Sequence, residues 1–341
     1  MTNRAGAGTL GAVNVEFHYY TVYYLANQAG FTSDDAYVLA YSSQYLDNAL
    51  ISYEVRHDQG IYETLVTHHF GFWDRGQEWD VWIPFHFYPA GADASHPVRR
   101  DGLRNPLDVQ PNSSRAKAML VSALKSRNLY RIGIALHTYA DTWAHQNFSG
   151  RNEEWNRVDP SSPVPPIGHA QAMRDPDSID ASWTDPRLLP PDNRVENRRR
   201  FLAAAGRIYR YLATYNRRSF ADEELVVDRL DSILGPAEYA RESRAENFII
   251  ECGMEPFSRL QWRKDAFDPP SGWSDLRWEI DLESALDKLN WLKDELLHKT
   301  NVVRRQPVIA RDGFFSSHLY RWDQAAREQK ASVLTALSDL Q

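Results

Sequence analysis

The sequence predicts an all-α fold, a single mainly helical domain over residues 1–341 with long ordered loops between the helices. Three observations carry that expectation. Apolar residues recur at helical spacing in several separate segments, period-two strand patterns are weak, and no repeat or low-complexity tract divides the chain. Hydrophobic residues at 43% and charged residues at 25% exclude disordered and collagen-like classes, because that balance supplies an ordinary core.

Taken in order, the first helix is aromatic, FHYYTVYYLA, and carries His18 near its start. The second covers 33–49. It opens on Thr32-Ser33-Asp34-Asp35, where Thr32 and Asp35 have capping-box spacing, and it sets Ala36, Ala40, Ser43 and Asp47 on one face. Residues 73–113 have no steady period and read as a long loop. Their aromatic content, Trp73, Trp79, Trp82, Phe85 and Phe87, predicts an ordered, packed one.

The next helix lies within 129–150, where Leu129, Ile132, Leu136, Tyr139 and Trp143 form the core-facing stripe. A second irregular stretch, 150–195, contains Pro165-Pro166 and Pro190-Pro191 together with Trp155 and Trp183. Beyond it, Phe201, Ala205, Ile208, Leu212 and Tyr215 stripe a helix over 196–218. Leu282, Leu286, Leu289, Leu292 and Leu296 stripe another, and Val333, Leu334 and Leu337 mark a last one over 323–340.

Several function classes fall away on composition. A single cysteine, Cys252, permits no disulfide within the chain and no cysteine-rich zinc module, and reads as a packing residue. Lys+Arg total 39 against Asp+Glu 46, a net −7, so the surface has no general attraction for nucleic acid. No run approaches the roughly 18 apolar residues of a membrane span. The opening MTNRAGAGTLGAV does not read as a secretory signal, so the expected location is cytoplasmic.

The most informative chemistry is on the 129–150 helix. His137, Asp141 and His145 stand at i, i+4 and i+8, so they share one stripe beside the apolar one. Imidazole, carboxylate and imidazole on successive turns suit a borderline metal ion, which needs nitrogen donors and an offsetting anion. The neighbours Thr138, Tyr139, Ala140, Thr142, Trp143 and Ala144 carry no charge, which favours burial, and a buried Asp between two His calls for a cation. Gly133, one turn earlier on that stripe, leaves room for a backbone or a ligand to come close. His18, His68-His69 and His169, the last followed by Asp175 and Asp177, add further donors.

The order His18, Asp47, His69, His137-x3-Asp141, His145, His169 resembles the zinc-dependent phospholipase C fold, a superfamily that includes the single-strand-specific zinc nucleases. A nearer likeness is to an uncharacterised, mostly bacterial family of that general type. It rests on FHYYTVYYLANQAGF, YSSQYLDNA, WIPFHFYP, LHTYADTWAHQNFSG and GHAQAMRDPD. The resemblance implies an all-helical bundle holding two or three zinc ions in a cleft; by their chemistry the same donors also suit iron or manganese. It implies that His69, His137 and Asp141 hold one metal and that Asp141 bridges to a second bound by His18. His145, His169 and Asp177 would hold another, and Asp47 would be the general base. Two departures are plain: the superfamily's processed N-terminal Trp ligand has no counterpart before His18, and the acid expected four residues after His169 is Met173, which leaves Asp175 or Asp177. His68 is an alternative to His69.

The expected function is therefore a metal-dependent hydrolase, of a phosphoester or phosphodiester, working through a metal-bound hydroxide. The expected partner is a small phosphorylated molecule. A single-stranded nucleic acid draws weak support from Arg198-Arg199-Arg200, Arg217-Arg218 and Arg304-Arg305, since such runs also suit solvated helix faces. Two other classes stand beside it: a non-haem iron oxygenase, and a non-enzymatic binding protein that keeps metal for stability.

Overall fold

The computed structural model describes residues 14–68, 77–91, 94–269 and 304–341. Helix α1 begins as a π-helical turn, Glu16–Thr21, and continues as Val22–Gln28; α2 is Ser33–Asn48. A hairpin of β1 (Ile51–His57) and β2 (Gly60–Glu63) follows. Helix α3 again starts π-wound, Glu78–Trp82, and ends as Ile83–Phe85. Then come α4 (Ser114–Ser126), α5 (Leu129–Ala144), β3 (Ser182–Thr184), β4 (Arg194–Glu196), α6 (Asn197–Tyr215), α7 (Glu223–Leu234) and α8 (Arg241–Cys252). The described chain closes with α9 (Gln261–Ala266), β5 (Phe267–Asp268), β6 (Arg304–Ala310) and α10 (His318–Ala336).

Helix α5 is the centre of the molecule. Helices α2, α4, α6 and α10 pack around it, and α3 touches its far end. Its expected stripe is buried at Ile132, Leu136, Tyr139 and Trp143, but the rest of the helix is buried too, from Arg131 through Ala144. Gly133 sets the closest approach: a Cβ there would lie 2.5 Å from the Leu39 carbonyl oxygen and 2.6 Å from Ser42 Cβ of α2. The close neighbour is therefore the backbone of α2, the helix that carries Asp47.

Capping explains where the helices begin. Thr32 accepts the Asp35 N–H at 3.2 Å, as the sequence predicts. Asn128 accepts the N–H groups of Tyr130 and Arg131 and opens α5. Ser317 accepts from Tyr320 and starts α10 earlier than its apolar stripe implies. The Leu282–Leu296 stripe and Trp73 lie outside the described residues. Cys252 is half-buried against the core, and burial pushes its thiol up to about 11.

The all-α expectation is overturned by a four-stranded mixed sheet in the order β2-β1-β6-β5 and by a two-stranded ladder, β3-β4. Helix makes up about 51% and strand 10%, so the class is mixed α/β. The β1–β2 hairpin turns at Gly60, whose φ of +140° favours glycine. From Tyr53 onward β1 alternates buried and partly exposed residues over only a few positions, a short signal. Strand β6 pairs parallel to β1 from Ile51↔Arg304 onward, a contact bridging some 250 residues of sequence. It also contains Pro307, which argues against a strand. The proline is accommodated because β5 pairs only with Ile309 and Ala310, so the other flank carries no ladder at Pro307 among the described residues.

The 150–195 stretch is ordered, as its aromatics imply. It folds around a second small apolar cluster of Phe87, Val109, Phe148 and Ala172, with Trp183 against it. Gly168 (φ +48°) lets the chain pass over Phe87, where any Cβ would fall 2.6 Å from the ring. No helix of the described residues is long and apolar enough to cross a membrane.

Candidate metal centre

Five histidines and three aspartates converge at one end of α5. Helix α5 supplies His137, Asp141 and, at its C-cap, His145, whose backbone N–H still bonds the Asp141 carbonyl at 2.8 Å. The π-helical turn of α1 supplies His18, and the last turn of α2 supplies Asp47. His86 follows α3, while His169 and Asp177 come from the proline-rich stretch. Two of the three elements that deliver His18, Asp47 and His86 include a π-helical segment, a winding often found at functional sites.

Asp141 is the hub. Its Oδ1 lies 3.2 Å from His18 Nε2, and its Oδ2 lies 3.2 Å from His86 Nδ1, 3.2 Å from His137 Nε2 and 3.7 Å from His145 Nδ1. Three groups of donors result: His18, His137 and Asp141; Asp47, His86 and His137; and His145, His169 and Asp177. In the second group all three edges are short. His86 Nδ1 is 3.2 Å from His137 Nε2, Asp47 Oδ1 is 3.5 Å from His137 Nε2, and Asp47 Oδ1 is 3.8 Å from His86 Nδ1. Four donors about 2.0–2.2 Å from a tetrahedral zinc stand about 3.3–3.6 Å apart, so these separations fit. In the third group Asp177 reaches His145 Nε2 at 3.3 Å and His169 Nε2 at 3.4 Å.

Three imidazoles are aimed by backbone carbonyls. His86 Nε2 is 2.8 Å from Thr67 O, His145 Nδ1 is 2.8 Å from His86 O, and His169 Nδ1 is 3.1 Å from Met173 O. A carbonyl only accepts, so in each ring that nitrogen carries the proton and the opposite nitrogen is left to face the carboxylates. This is the outer-sphere support that metal-binding histidines ordinarily have. At Met173 the support is bought with strain: φ is +55° in a residue with a side chain, and the turned carbonyl meets His169.

The buried groups of the cluster act strongly on one another. Both Asp47 oxygens are buried with no hydrogen-bond partner, and burial drives that carboxyl well above its usual range, with the Asp141 charge adding to the shift. Burial also works against an ionised Asp141, yet His137 and His145 overcome it and hold that carboxyl well below its usual range. Burial and the nearby His18 press His137 down to about 3. For His145 burial opposes the charge, but Asp141 and Asp177 lift the ring to about 9. A buried Asp47 carboxyl with no hydrogen-bond partner, its Oδ1 3.5 Å from His137 Nε2, is part of a donor set that metal would complete.

The structure brings together His18, Asp47, His137, Asp141, His145, His169 and Asp177 from the sequence-predicted set. Asp47 Oδ1 stands 3.5 Å from His137 Nε2 and 3.8 Å from His86 Nδ1, among the prospective ligands. Of the two late acids, Asp177 faces the histidines. His69 lies outside the described residues. Its neighbour His68 is buried, with its ring edge-on to His86 at 5.1 Å. Sequence reasoning missed His86. The available signal was its setting, Phe85-His86-Phe87, since an imidazole within a run that is otherwise apolar needs a polar partner.

Among the described residues the cluster meets solvent at His169 and Asp177. Most of the cluster is closed to solvent, whereas the side chains of His169 and Asp177 remain 19% and 17% exposed. Phe87 stacks on His145 at 4.4 Å between ring centres and covers that ring from the loop side.

The model of a family of unknown function, DUF6765, matches the chain over residues 13–337. No curated protein and no solved structure matches the chain. The matched span runs from just before α1 to just after α10 and takes in every residue of the cluster, so this chain belongs to the DUF6765 family.

Proposed function

We propose that this protein is a metal-dependent hydrolase acting on a phosphoester of a small molecule, with zinc as the metal. The observation that carries the proposal is the Asp141 carboxylate, shared among His18, His86, His137 and His145, with a second carboxylate, Asp47, buried beside it and unpartnered. Nitrogen donors outnumber carboxylates two to one in each of the three groups. Such a donor set favours zinc over magnesium or calcium, which prefer all-oxygen sites. Bound metal would neutralise charge on a phosphoryl oxygen and make a water more acidic near neutral pH.

The chain's own groups have separable tasks in this reading. His18, His86 and His137 hold metal in the closed interior, with Asp47 and Asp141 balancing its charge. His145, His169 and Asp177 hold metal at the end open to solvent, where substrate enters. The carbonyls of Thr67, His86 and Met173 keep three of the rings from turning. The order of donors along the chain, which resembles that of the zinc-dependent phospholipase C superfamily, supports the reaction class. Arg198, the first of the arginine run, is engaged by Asp180 and Asp231, which leaves less of that run for a nucleic acid.

The test is elemental analysis of purified untagged protein, followed by release of nitrophenolate from bis(4-nitrophenyl) phosphate and 4-nitrophenyl phosphate. Two or more zinc ions per chain, with hydrolysis abolished by a chelator and restored by zinc, is the expected result. Protein prepared without chelators that holds no metal would overturn the proposal. One or two irons and no hydrolysis would favour the oxygenase class.

A further inference from the structure

Three consecutive arginines, Arg198, Arg199 and Arg200, open helix α6, and they have three different fates. Arg198 bonds Asp180 and Asp231, and Arg199 is exposed. Arg200 is half-buried and has no carboxylate within 4 Å among the described residues. Its Nη2 donates to the carbonyl of Ala144 at 2.9 Å, which fixes the guanidinium next to the residue that precedes His145. Its Nε is buried with no hydrogen-bond partner.

The carboxylates whose charge reaches Arg200 are Asp177 and Asp185. Neither is available to it as a counter-ion. Asp185 is held by Arg187 through Nε at 2.9 Å and Nη2 at 2.6 Å, and Asp177 is already shared by His145 and His169. Burial pulls the guanidinium down to about 10, against the pull of those two carboxylates, so it stays charged at neutral pH. A fixed cation with a spare N–H, set beside the solvent-accessible end of the donor cluster, lacks an anion.

We propose that Arg200 binds the phosphoryl oxygens of the substrate at the His145–His169–Asp177 end of the cluster. This rests on the metal reading of that cluster and names the group that recognises the anion. The arginine is a binding group: it orients a tetrahedral oxyanion and adds charge from the protein side, while the donors hold metal. A forked N–H pair suits phosphate better than an ammonium does. The backbone bond to Ala144 takes one of the two Nη2 protons and leaves the unpartnered Nε–H for the ligand.

The experiment is isothermal titration of the full-length protein with inorganic phosphate, with metal content measured on the same samples. Wild type, Arg200→Gln and Arg200→Lys are compared. Arg200→Gln is expected to weaken phosphate binding by about tenfold or more with zinc content unchanged, and Arg200→Lys to recover only part of the loss. Equal phosphate affinity in wild type and Arg200→Gln at equal zinc content overturns the role of Arg200. If Arg200→Gln does not fold, Arg200→Lys decides, and an unchanged affinity there overturns it as well. Wild type that holds zinc yet binds no phosphate also overturns it. Failure of the metal reading is separate, since it appears as wild-type protein without metal.

Discussion

His86 Nδ1 and His137 Nε2 stand 3.2 Å apart, although 51 residues separate them in the chain. His86 Nε2 is engaged by Thr67 O, so Nδ1 is the nitrogen turned into the cluster, toward His137 and toward Asp141 Oδ2, also at 3.2 Å. At that separation a single cation would be held by both rings. His86→Ala is therefore expected to lose metal to the same degree as His137→Ala. Elemental analysis of both variants checks this, and full occupancy in His86→Ala would remove His86 from the site.

Asp47 separates a ligand from a base. Buried and unpartnered, with its carboxyl pushed well above the usual range, it must release its proton when metal enters. Asp47→Asn is expected to lower metal affinity beyond the roughly 10–100-fold typical of losing an outer-sphere partner. The affinity of wild type should also rise with pH, since each proton displaced favours binding in more alkaline solution. A competition titration with a chromophoric chelator at pH 6 and pH 8 reads both effects. Unchanged affinity in Asp47→Asn, with slow turnover, would return Asp47 to the role of base.

Chelation should be visible in stability as well as activity. Removing metal leaves the Asp47 and Asp141 carboxyls buried together, so the melting temperature is expected to fall and to recover when zinc is restored. For a site saturated about a hundredfold above its dissociation constant, the linkage is worth about 2.7 kcal/mol. Scanning calorimetry with and without chelator measures it, and an unchanged melting temperature would count against occupancy in solution.

Gly133 fixes how near α2 lies to α5. The Leu39 carbonyl, 2.5 Å from where a Cβ would be, belongs to backbone and cannot swing aside. Gly133→Ala is expected to cost about 1–3 kcal/mol, as overpacking does, and to weaken metal binding by moving Asp47 from His137. Denaturant unfolding together with metal analysis tests this. A variant as stable as wild type would show that α2 has room to shift.

Away from the cluster, His96 Nδ1 lies 2.9 Å from the buried Asp108. The hydrogen bond to Asp108 raises the His96 pKa against an opposing effect of burial. A raised histidine stabilises the fold fully below its unfolded value, about 6.5, and loses that contribution as pH rises through the folded value. His96→Gln should accordingly cost about 1.5–3 kcal/mol at pH 5, on the scale of a charged hydrogen bond, and much less at pH 9. Unfolding curves at the two pH values check it, and an equal loss at both would assign His96 a packing role only.

The amino-acid sequence by itself determined the local matters. Helical stripes located α2, α5 and α6, Thr32 located a cap, and the i, i+4, i+8 spacing put His137, Asp141 and His145 on one stripe of one helix. Those features depend on residues within a few turns of one another, so a periodic pattern suffices to reveal them. Tertiary structure alone decided the rest. The parallel pairing of β1 with β6 joins segments some 250 residues apart, and its second strand contains a proline, so the mixed sheet left little local trace. His86 entered the cluster because α3 ends against the far end of α5, a contact that no spacing records. Arg200, one of three similar arginines in sequence, was distinguished only by which carboxylates its neighbours had already taken. Charge balance in a buried site is a property of the whole set of groups that meet there, and the set is assembled by the fold.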